Sequence, residues 1–73
     1  MNQDEATVLR AAYELCSGQP RVIEYKSLAE RTNLGEANIK GIAGRLQQQR
    51  LCIATFGGLQ LTAAGLKTVA AQT

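Results

Sequence analysis

Seventy-three residues with a net charge of +2 make one small domain. Such a chain buries only roughly 60–65% of its unfolded surface, and with Tyr13, Tyr25 and Phe56 as its only aromatics the core must be aliphatic. The 45% apolar share excludes a disordered tail, and no apolar run approaches a membrane span. With no histidine, one aspartate and no glycine-rich loop after a strand, no catalytic residue, metal or cofactor is expected.

The charge is unevenly spread. Residues 1–36 hold six carboxylates against four cations, whereas residues 37–73 hold Lys40, Arg45, Arg50 and Lys67 and no acid. A half-chain without carboxylates tolerates a polyanion nearby, although a sparsely charged segment produces the same pattern by chance. Cys16 and Cys52, with no CxxC and no histidine, make a poor zinc site. Both fall on apolar faces and read as buried free thiols of a cytoplasmic protein, rather than as a disulfide. No signal peptide is visible.

Asn2 or Asp4 caps a first helix, and Asn2 with Glu5 has capping-box spacing. Val8, Leu9, Ala12, Leu15 and Cys16 share one arc of about 120°, the buried stripe. Ser17-Gly18-Gln19-Pro20 ends it, Gly18 suiting the left-handed cap. Val22-Ile23-Glu24-Tyr25 reads as a brief edge strand. Ser27-Leu28-Ala29-Glu30 is a capping box opening a second helix of about two turns, which Asn33 stops. Gly35 caps a third helix running to about Gln49, with Ile39, Ile42, Ala43 and Leu46 on its inner face. Residues 51–55 read as a strand, Gly57-Gly58 as a two-residue turn and residues 59–61 as the return strand. Thr62 caps a last short helix carrying Leu66, Val69 and Ala70.

From about Lys26 to Gly65 the chain resembles the winged helix-turn-helix family. The matching residues are Leu28-Ala29 at the second helix, Asn33-Leu34 in the turn, Ile39, Ile42 and Leu46 in the third helix, Arg50-Leu51-Cys52 at the strand start and Leu61-Thr62-Ala63-Ala64-Gly65 closing the wing. Two departures stand out: Asn33 replaces the usual turn glycine, and the wing tip, Phe56-Gly57-Gly58, lacks the Lys or Arg that DNA-touching wings bring to a phosphate or the minor groove. The resemblance implies a mainly α fold with a small β-hairpin wing, residues 1–73 forming one domain with a three-helix core and a short C-terminal helix. Its implied function is sequence-specific binding of double-stranded DNA by a small transcriptional regulator, the third helix entering the major groove.

Opposite the inner face of that helix lie Ala37, Gly41, Gly44 and Gln48, flanked by Lys40 on one side and by Asn38 and Arg45 on the other. Two interior glycines cost roughly 1 kcal/mol each against alanine, so helix formation does not explain them. A bare stripe fits deep in a groove, with Lys40 and Arg45 reaching phosphates or guanines and Asn38 and Gln48 pairing with adenine. Lys26 and Ser27, opening the second helix, would meet the phosphate backbone. The bland reading of Gly41 and Gly44 is tight helix packing, inside the fold or across a dimer. The expected partners are DNA and a second copy, joined through the apolar stripes of the first and last helices. The alternative function is a winged helix serving protein–protein contact through Phe56 or the Gly41/Gly44 face.

Overall fold

The computed structural model describes residues 2–72, and of Gln72 the backbone alone. Among them are four helices and three strands: α1 (Gln3–Cys16), β1 (Val22–Glu24), α2 (Tyr25–Thr32), α3 (Glu36–Gln48), β2 (Cys52–Ala54), β3 (Gly58–Leu61) and α4 (Ala63–Gln72). The architecture is α+β, mainly helical, with a small antiparallel sheet in the order β1-β3-β2. No described helix is long and apolar enough to cross a membrane.

One aliphatic core joins all elements. Val8, Leu9, Ala12 and Cys16 of α1 meet Leu28 of α2, Ile39, Ala43 and Leu46 of α3, Leu59 and Leu61 of β3 and Val69 of α4, all essentially inaccessible. Each large aliphatic side chain so buried contributes roughly 1.5–3 kcal/mol. The exposed Arg31–Glu14 ion pair (3.0 Å) contributes about 0–1 kcal/mol by comparison. Core burial therefore decides the fold. Both cysteines are buried and unpaired. The Cys52 thiol donates to the Ala43 carbonyl, and burial pushes its pKa up to about 11, so it stays un-ionised at neutral pH.

Local chemistry sets the helix ends. The Asn2 side chain accepts from the Glu5 amide at 2.8 Å and starts α1. The return half of that capping box is not made, because the Glu5 side chain is buried in other contacts. α1 ends with both Ser17 (φ 55) and Gly18 (φ 75) left-handed, so the cap falls one residue before the expected glycine. Asn33 (φ 63) stops α2, and Gly35 stands at the N-cap of α3. At the end of α3 the Leu51 amide donates to Leu46 and the Arg50 amide to Gln47, a Schellman motif with Arg50 left-handed at φ 64.

Three expectations need correction. The Ser27–Glu30 capping box does not form: α2 begins at Tyr25, directly after β1, with Glu24 at its N-cap and no side-chain cap bond. Tyr25 thus leaves the strand, and its buried ring and hydroxyl anchor the helix start instead. The hairpin turn is Phe56-Gly57 rather than Gly57-Gly58, since the Thr55 amide already pairs with the Gly58 carbonyl at 2.7 Å. Gly58 belongs to β3 opposite Glu24, where a Cβ would run into the Ile23 carbonyl. The strand expected over 51–55 shortens to Cys52–Ala54 because Leu51 is spent on the α3 cap. At the start of α4, Thr62 does cap as expected, its hydroxyl accepting from the Gly65 amide at 3.1 Å. Of the stripe read there, Val69 is buried and Leu66 partly so, but Ala70 is exposed.

Candidate nucleic-acid interface

The inner face of α3 is fixed by Ile39, Ile42, Ala43 and Leu46, all at most 3% exposed. Everything opposite must therefore face outward. Ala37, Gly41, Gly44 and Gln48 are exposed, and a Cβ added at Gly41 or Gly44 would meet nothing within 4 Å. Neither glycine is used for packing inside the monomer. The side chains of Asn38 and Gln48 are exposed and make no hydrogen bond among the described residues, so their amides remain available.

The two flanks of this face differ. On one side Lys40 lies over the Tyr25 ring, 5.8 Å from its centroid, and the Tyr25 hydroxyl donates to the Thr55 carbonyl at 2.7 Å. Tyr25 thus ties together the start of α2, the hairpin and the Lys40 side of α3. Burial raises the Tyr25 pKa, with Cys52 adding to the effect and the Thr55 bond opposing it. Next to Tyr25, Lys26 is exposed and Ser27 partly buried in the first turn of α2. Gln47, on the same flank, accepts from the Ala54 amide at 2.6 Å and occupies an outward-pointing donor on the free edge of β2.

On the other flank Arg45 is engaged by α1. Its Nε sits 3.5 Å from a carboxylate oxygen of Glu5, a residue only 6% exposed. The other Glu5 oxygen accepts from Gln49 Nε2 at 2.7 Å. A shallow groove of ≈ 230 Å³ runs here between Ala37, Asn38, Gly41, Arg45 and the acidic Asp4 of α1.

Lys40, Gly41, Gly44, Arg45, Asn38 and Gln48 thus share one surface, with Lys26 and Ser27 beside it across Tyr25. Glu5 and Tyr25 join this surface without having been expected there from the sequence. The sequence carries a signal for Glu5: it precedes Val8, Leu9, Ala12 and Cys16 by three, four, seven and eleven residues, which puts a carboxylate in line with the core stripe of α1, at its N-terminal end. Tyr25 is 6% exposed, and its role depends on a carbonyl thirty residues away that no local pattern announces. Arg31, half exposed, pairs with Glu14 of α1. No family model, curated protein or solved structure matches this chain.

Proposed function

We propose that this protein is a winged helix-turn-helix that binds double-stranded DNA, with α3 in the major groove and the β2–β3 hairpin as a short wing, and that it regulates transcription in the cytoplasm. The observation that carries the reading is the open face of α3: a glycine stripe free of intramolecular contact, bordered by amide and cationic side chains. The element order α1-β1-α2-α3-β2-β3 supports it. Lys26 and Ser27 hold the phosphate backbone, Asn38 and Gln48 read adenine edges, and Lys40 reaches a phosphate across Tyr25. A domain with so few cations binds one half-site weakly, so a homodimer on a two-fold site is part of the proposal. The groove between α1 and α4, lined by Tyr13, Ala63, Leu66 and Ala70, supplies apolar surface for the second copy.

A second reading has its own observation. Phe56 is 102% exposed at the hairpin tip, and Val22 (54%) and Ile53 (51%) flank Gln60 in one row on the outer face of the sheet. That row, with no cation at the tip, favours a winged helix that docks on another protein. Fluorescence anisotropy of a labelled random-sequence duplex, titrated from low to high salt, separates the two. DNA binding predicts an affinity that falls steeply with salt, and a log–log slope that Lys40→Ala reduces by about 0.9. No binding at low salt contradicts the DNA reading and leaves the protein-docking one.

A further inference from the structure

Glu5 is the only buried charged side chain among the described residues. A carboxylate in line with an apolar helix face is costly to desolvate, and an apolar residue of similar volume there is commonly neutral or stabilising. Its place in the first turn of α1 suits the helix dipole, which an exposed acid there would serve without the cost of burial. Its two oxygens have different partners: one accepts from Gln49 Nε2, and the other faces Arg45 Nε. Nε is the Arg45 atom that faces Glu5, in an ion pair at 3.5 Å. The Arg45 side chain stays 54% exposed, and its two terminal amino groups make no hydrogen bond among the described residues.

We propose that Glu5 is a positioning residue for base recognition, holding Arg45 by its inner nitrogen so that the outer pair of nitrogens presents a fixed fork to a guanine edge. The inference rests on the DNA-binding reading above and deepens it by assigning the base that this flank recognises. Three considerations favour guanine over phosphate. A guanidinium neutralised from behind gains little Coulomb energy from a phosphate but keeps its directional donors. Those donors match the O6 and N7 acceptors that guanine alone presents together in the major groove. Asp4 lines the same groove and repels a phosphate there. Pairing with Glu5 also restricts the Arg45 rotamers before binding, which lowers the cost of making the contact.

The test is selection of duplexes from a random-sequence pool with the wild-type protein, Glu5→Gln, Glu5→Met and Arg45→Lys, followed by competition between each enriched duplex and its inosine- and adenine-substituted forms. Circular dichroism checks that each variant folds. Glu5→Met, in which Met fills the volume without charge, serves if Glu5→Gln does not. The wild type is expected to enrich a duplex with one guanine whose replacement by adenine weakens binding about 5- to 100-fold. Inosine, which keeps O6 and N7, binds like guanine at that position. Glu5→Gln, Glu5→Met and Arg45→Lys lose the preference at that one position while still retaining duplex DNA, since neither Glu5 variant removes a cation. A guanine preference that survives the Glu5 variants, or that Arg45→Lys leaves intact, overturns the inference and leaves DNA binding standing. A wild type that enriches no duplex ends the DNA-binding reading itself, and the inference with it.

Discussion

At three helix ends a residue other than glycine turns left-handed, while glycine stands twice inside a helix where nothing in the monomer requires it. Ser17, Asn33 and Arg50 hold φ values of 55, 63 and 64 at the ends of α1, α2 and α3, positions that glycine fills at least strain. Gly41 and Gly44 stand mid-helix in α3 with open space where a side chain would be. A second pair, Gly58 and Gly65, has an evident structural reason: a Cβ at either would overlap a backbone carbonyl, of Ile23 and Leu51 respectively. Packing dictates the second pair, and Ser17, Asn33 and Arg50 turn left-handed without being glycine. The pair on α3 answers to neither packing nor backbone geometry, which is why that face reads as one that must approach something outside the chain.

The contrast can be broken by substitution. Gly58→Ala and Gly65→Ala should each cost about 3 kcal/mol, because backbone on both sides must shift to admit one methyl. Urea denaturation measures this, and a loss under 1 kcal/mol at either site would show the close approach to be soft. The double variant Gly41→Ala/Gly44→Ala should move the other way, gaining about 1.5–2 kcal/mol from helix propensity. Duplex affinity should fall in the same variant, since the methyls hold the helix backbone off the groove. A double variant that is more stable and binds DNA as well as the wild type would remove the functional reading of the stripe.

Arg50→Gly sharpens the comparison from the opposite direction. It places glycine at the left-handed position of the α3 Schellman motif, where Arg50 carries strain. Relief of about 1 kcal/mol, partly offset by the greater freedom of glycine in the unfolded chain, leaves a net gain of about 0.5 kcal/mol. A loss instead would mean that the exposed Arg50 side chain contributes more than its backbone costs.

The element order was legible in the sequence because aliphatic periodicity is strong in α1 and α3, and because Asn2, Asn33, Gly35 and Thr62 signal their caps locally. Where the reading slipped, a distant partner was deciding. Gly57-Gly58 looks like a turn, yet Gly58 is glycine because the Ile23 carbonyl passes close by. Ser27 and Glu30 have capping-box spacing, yet Tyr25 opens the helix earlier, its hydroxyl held by Thr55. The outward face of α3 followed from helical geometry alone. The flanking contacts did not: Lys40 over Tyr25 and Arg45 against Glu5 join residues fifteen and forty positions apart.

The central claim is that the bare face of α3 is the surface that meets DNA. The most direct measurement is a low-salt NMR titration of the isotope-labelled protein with a short random-sequence duplex. Shifts or broadening concentrated at Asn38–Gln48 and around Lys26 and Ser27, reversed by added salt, are the predicted result. Perturbations confined to Phe56, Val22 and Ile53, or none at all, would contradict it.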